Sequence, residues 1–285
     1  MKRLLLFGLL LSLCACAAAP PAMNDIADPA APFMSGLYAF EPTLENAVAN
    51  STHIATLSLQ DTRPYDKNRC LFTFRVESLL AGELDEETIL VLGYQSFYVE
   101  GETYLLFLNR LSLAEWPQDI FTSFHLFTFR VKAGEEIDCL QQVANPETGE
   151  KRTFAQPFKD PGHNKLSFLA DYMKKRAVKE SVPAPENCDL DYLLVHSDLI
   201  ALIVPLKREP VNPFIDEVEF TVSACHRGVL GEKTLALPAG LETGQGYLVF
   251  LREGEDGGYS LTARLSIFSL QSDTYRQFVE VWPGD

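Results

Sequence analysis

Five histidines, a set of cysteines and three acidic loops are the residues of this chain whose types could do chemistry. His53, His125, His163, His196 and His226 are scattered, and none has a second His or a Glu at the spacing that holds zinc in a metalloprotease helix. His53 and His125 fall in or beside strand-like runs without a partner that would activate them, so both read as hydrogen-bonded structural residues. There is no Gly-x-Ser-x-Gly elbow and no Gly-rich loop to cradle phosphate. The loops Gly82–Glu87, Gly134–Asp138 and Glu253–Gly258 are rich in oxygen but keep no EF-hand spacing, so they read as solvated turns. The expectation is a protein that is not an enzyme, with no catalytic residue, no metal and no cofactor.

Cys70, Cys139, Cys188 and Cys225 are an even number, which permits two disulfides in three pairings. Four buried free thiols fit equally well, and spacing does not choose. No CxxC pair or Cys/His cluster has zinc spacing. The remaining cysteines stand at the front. Met1, Lys2 and Arg3 precede an apolar run from Leu4 to Leu13, in the order of a signal peptide and too short for a stable span. The exit Leu13-Cys14-Ala15-Cys16 resembles the lipobox of bacterial lipoproteins, with Cys14 where Ala or Ser is commoner. That resemblance implies a lipoprotein signal peptide over residues 1–15, with cleavage before Cys16 and palmitate or a similar acyl chain on it. An ordinary secretory cleavage near Ala15 to Ala19 is the alternative, and both routes export the protein. The expected location is extracytoplasmic, on a bacterial cell-envelope membrane. Residues 16–36, rich in Ala, Pro and Asp, read as a flexible tether.

Twenty-four Lys and Arg stand against 39 Asp and Glu, a formal charge of −15, and loss of Lys2 and Arg3 makes the mature chain more acidic still. Such a field repels phosphate backbones and anionic headgroups, so nucleic acid is not an expected partner and membrane attachment falls to the lipid.

The elements that must position any site are disclosed by a repeat. Ser51–Leu57 lies opposite Ser197–Ile203 at an offset of 146, which then places Phe74-Arg-Val76 on Phe220-Thr-Val222 and Gly82-Glu-Leu84 on Gly228-Val-Leu230. After a shortening of three residues, Gly101–Leu108 lies on Gly244–Leu251. Apolar runs bounded by polar turns predict strands at Ile54–Leu59, Cys70–Glu77, Thr88–Tyr94, Thr103–Leu108 and Phe121–Val131. The second copy predicts Leu199–Pro205, Glu217–Ala224, Thr234–Leu237, Tyr247–Leu251 and Tyr259–Leu270. Five strands per copy suit a small barrel that hides its own edges. Between the copies, Leu166, Leu169, Tyr172, Met173 and Ala177 share a helical face followed by a break at Pro183 and Pro185. The expected fold is all-β: two tandem five-stranded OB-like barrels at 37–150 and 186–285, with a helix and linker over 151–185. A fragment from about Glu186 to Asp285 is expected to fold alone.

Phe74–Gly82 and Gly101–Leu108, with their second-copy partners, resemble the bacterial relatives of netrin-like domains, whose superfamily includes the N-terminal domains of tissue inhibitors of metalloproteinases. The resemblance covers most of Ser51–Val131 and Ser197–Leu270, and implies the OB-type barrel, with Gly82 and Gly228 in turns and Tyr104, Phe107, Tyr247 and Phe250 filling it. Inhibitory members chelate a protease's zinc through a free N-terminal Cys; here Cys16 would be acylated and far from the fold, so that mechanism does not transfer. The function expected is a lipid-anchored binding protein for a protein or another envelope component. A peptidase inhibitor acting through a loop is the alternative.

Overall fold

The computed structural model describes residues 43–282, apart from 95–97, 125–126, 141, 145–150, 154–160, 175, 187, 232 and 255–256. The expected signal peptide and tether, Cys16 and His125 lie outside these residues. The described chain is mostly β.

The first unit opens with helix α1 (Leu44–Asn50), whose seven residues are too few to be stable alone. Thr43 caps it by accepting the Asn46 N–H at 3.1 Å, and Leu44, Ala47 and Val48 are buried. Strands β1 (His53–Pro64), β2 (Arg69–Ala81), β3 (Thr88–Tyr94), β4 (Thr103–Leu111) and β5 (Ile120–Ser123) follow. They pair in the cycle β1-β2-β3-β5-β4-β1, with only β3 and β5 parallel. This closes a five-stranded barrel compatible with the OB type, and closure removes the free edges of its members. Strand β6 (Phe129–Val131) pairs the first half of β4, and β7 (Ile137–Cys139) pairs β6. A hairpin of β8 (Gln142–Ala144) and β9 (Lys151–Thr153) and helix α2 (Leu166–Met173) complete the unit.

The first seven residues of β1 are all buried because both faces are covered. Inward, Ala55, Leu57 and Leu59 meet Phe72, Phe74, Tyr104 and Phe121. Outward, Ile54, Leu105 and Phe107 lie beneath α1 and α2 through Val48, Leu169, Tyr172 and Met173. The helix expected to run toward Val178 stops at Met173, so Lys174 caps it and Arg176 lies in the linker.

The second unit repeats this plan. Helix α3 (Leu190–His196) lies 146 residues beyond α1, then come β10 (Leu199–Asn212), β11 (Ile215–Arg227), β12 (Thr234–Pro238), β13 (Tyr247–Glu253), β14 (Tyr259–Leu261), β15 (Ile267–Ser269) and helix α4 (Asp273–Val281). The ladders repeat pair by pair. Ile54 faces Ala81 as Ile200 faces Arg227, and Leu57 faces Val76 as Ile203 faces Val222. Bulges after Ile54, Thr56 and Leu59 recur after Ile200, Leu202 and Pro205. In each copy the last expected strand is two: β5 and β6 take opposite halves of β4, and β14 and β15 take opposite halves of β13.

Gly82 and Gly228 sit at φ 89° and 73°, where a Cβ would come within 2.5 Å of the Thr52 carbonyl oxygen and 2.9 Å of that of Asp198. Only glycine fits the turn. The Tyr104 hydroxyl accepts the Val99 N–H at 2.7 Å, and Tyr247 accepts that of Glu242 at 2.9 Å, five residues upstream in both.

The copies part at closure. No ladder joins β12 to β14, so the second sheet is open, where a second closed barrel was expected. These strands are only five and three residues long, and the gap between them is taken by the first unit. Glu115 accepts the buried Leu261 N–H at 3.0 Å, which occupies a donor that points away from β13. Ala114 and Ala184 pack into the core of the second sheet beside Leu235, Leu237 and Leu261. The units are locked together around Arg264, whose side chain is 7% exposed and donates to the Trp116 carbonyl at 2.9 Å, Asp119 at 2.5 Å and Glu186 at 2.5 Å. Phe214 and Ile215, at the turn of the β10–β11 ribbon, pack on Trp116, Leu71, Leu90, Leu92 and Ile120 outside the first barrel.

Candidate functional site

A groove of about 790 Å³ lies at the foot of the first barrel. One wall is the start of β1, the β2–β3 turn and the end of β4, contributing His53, Gly82, Glu83 and Arg110. The opposite wall is the end of α2 and the linker from Arg176 to Pro183. The linker is tacked down at two points: the Lys179 N–H donates to the Ser51 carbonyl at 2.8 Å, and the Ala184 N–H to the Ser112 hydroxyl at 2.6 Å. Pro183 and Pro185 hold the residues before them out of the helical region.

His53 is 2% exposed, and both ring nitrogens are engaged. Nε2 lies 2.7 Å from the Glu83 carbonyl oxygen, which can only accept, so Nε2 carries the proton. Nδ1 lies 2.8 Å from the Thr52 hydroxyl, whose one proton also reaches the Leu108 carbonyl oxygen at 3.1 Å. Burial holds the imidazole pKa below its usual value, with Arg110 pushing the same way. A neutral ring with a polar partner at each nitrogen is a pin for the Gly82 turn.

The groove is cationic in an anionic protein. Arg110, Lys174, Arg176 and Lys179 line it against Glu83 and Glu180. Arg110 Nε is 3.2 Å from Asp119, and Lys174 pairs Asp171 at 2.5 Å. The Arg176 guanidinium lies 3.5 Å over the Tyr172 ring and donates to the Tyr172 carbonyl at 2.7 Å. Neither Arg176 nor Lys179 meets a carboxylate among the described residues, and both line the groove. The arrangement can attract and hold an anion or an acidic chain.

The four cysteines flagged as disulfide candidates are free thiols in separate places. Cys70 is inside the barrel, Cys139 beneath the helices, Cys188 at the outer core of the second unit and Cys225 on an exposed strand. Burial and the carboxylates of Glu186 and Asp189 push the Cys188 thiol pKa up, which makes it inert. Cys16, the residue expected to carry a lipid, lies outside the described residues, as do parts of the Glu253–Gly258 loop. Among the described residues no group of His, Cys, Asp and Glu converges to hold a metal ion, and no helix is long and apolar enough to cross a membrane.

Residue spacing did not point to the groove, because Arg110 ends a strand and the bases after α2 read as the last turn of a helix. The signal available was the run Lys174-Lys175-Arg176 with Lys179 in a chain so rich in acid. No protein-family model matches the chain, and no curated protein matches it, so the netrin-like resemblance rests on the chain's own residues.

Proposed function

We propose that this protein is a lipid-anchored extracytoplasmic binding protein of the bacterial cell envelope, without catalytic activity, built from two modules of one OB-like, netrin-like plan of which the second is open. The observation that carries the reading is a division between what the repeat keeps and what it changes. Ladders, bulges, turn glycines and buried tyrosines recur between the copies, and all of them are structural. The cationic groove is not repeated: Arg110 corresponds to Glu253 in the β13 register, His53 corresponds to Leu199, and Arg176 and Lys179 belong to the linker. A frame held constant while its displayed surface diverges is what a binding module requires, since function on such barrels lives on faces and loops.

The export sequence supports the location, and the net charge supports a lipid on Cys16 over electrostatic attachment. The test is fatty-acid labelling with intact mass of the membrane fraction for wild type and Cys16→Ala. Label and membrane retention that vanish in the variant support the anchored protein. Release of both forms without lipid makes the protein diffusible and moves the loop-acting peptidase inhibitor to the front.

A further inference from the structure

We infer that the groove takes an extended acidic peptide segment of a partner protein, added as a strand along linker residues 177–182. The inference rests on the reading of the chain as a binding protein and names its site and ligand class. Two independent observations meet here. One is charge: Arg176 and Lys179 present cations without a carboxylate partner, with Arg110 deeper in the same groove, although the chain as a whole carries −15. An acidic segment repelled by the rest of the surface is steered to this place.

The other is backbone. The amides of Ala177, Val178, Glu180, Ser181 and Val182 have no acceptor among the described residues, and these residues belong to no helix or strand. In an extended run, the amides on either side of Lys179 point opposite to its own. Lys179 donates inward to Ser51, so an extended path through this run turns the amides of Val178, Glu180 and Val182 outward as the edge that the inference requires. Such an edge is a template for another strand, whose alternate side chains then find apolar surface at Val178 and at Val182, which is 88% exposed. An anionic lipid surface would use the cations but not the amides, and the net charge opposes it. A peptide uses both.

The test measures fluorescence anisotropy of a labelled peptide of alternating Glu and Val on the full chain in detergent micelles, beside a Lys and Val peptide of the same length. The Glu–Val peptide should bind, the Lys–Val peptide should not, and added salt should weaken binding. Arg176→Glu with Lys179→Glu should lower affinity about tenfold or more. Val182→Pro, which deletes an outward amide, should bind about threefold or more weakly than Val182→Ala, which keeps it. Equal binding by the two Val182 variants with an unchanged melt overturns strand addition. Equal binding of both peptides, binding of neither, or binding of phosphatidylglycerol vesicles alone overturns the acidic-peptide assignment. If Cys16-dependent membrane retention persists while the peptide fails, the groove assignment falls and the anchored reading stands. Loss of that retention strikes the anchored reading whatever the peptide does.

Discussion

His53 holds the turn at Gly82 through the proton that Nε2 donates to the Glu83 carbonyl, and its buried ring makes a second protonation costly to the fold. Burial places its folded pKa below the ordinary 6.5 of the unfolded chain. Between those values the unfolded state binds a proton that the folded state releases. The contribution of His53 is therefore complete above about pH 6.5 and is lost as pH falls through the depressed folded value. Denaturant unfolding at pH 7.5 and pH 5 should show a larger loss of stability for wild type than for His53→Gln. Equal losses would place the pH dependence elsewhere. Arg176 is different: it stacks on the Tyr172 ring and donates to the Tyr172 carbonyl, so replacing it should cost about 1 kcal/mol of stability at any pH and weaken binding as well.

At the scale of elements, the contrast between β14 and its counterpart β5 explains why one copy closes and the other does not. β5 reaches β3 and completes the cycle; β14 is shorter and hands its Leu261 amide to Glu115. Both groups are buried, at 2% and 7% exposure. Glu115→Ala should cost about 1–3 kcal/mol, because the amide is left without an acceptor away from water. Glu115→Gln retains an acceptor and should cost less than half as much. The measurement is urea unfolding of both variants, and equal costs would mean the carboxylate is not the acceptor that matters. The flanking helices follow the same logic of borrowed stability: α1 and α3 are seven residues each and persist because Val48 and Leu193 are buried against the sheets.

For the whole molecule, the two units share more than a linker. The second core includes Ala114 and Ala184, Arg264 reaches back to Trp116 and Asp119, and Ile215 packs outside the first barrel. A fragment of residues 186–285 would open the gap between β12 and β14 to water and leave the guanidinium of Arg264 without Asp119. The expectation that it folds alone is therefore redirected: it should lack a cooperative melt, while the full chain should unfold in one transition. Circular dichroism of the two proteins decides this, and a sharp melt of the isolated fragment would show that the shared core is dispensable.

Repetition, strand positions, the turn glycines and the apolar faces were legible in the chain, because burial, side-chain alternation and positive φ each leave a mark on residue type. The offset of 146 and the shortening by three carry the β1–β4 register onto that of β10–β13. The helices α1 and α3 were not legible, since they are short, are stabilised by packing, and share little sequence between copies. The split of each final strand and the open second sheet were decided by tertiary structure alone. Whether an edge is met by a strand or by a side chain from another unit depends on chain segments far apart in sequence. The groove has the same origin: Arg110, Arg176 and Lys179 are ordinary strand-end and helix-end residues until the fold lays the linker across the foot of the barrel and brings them to line one groove.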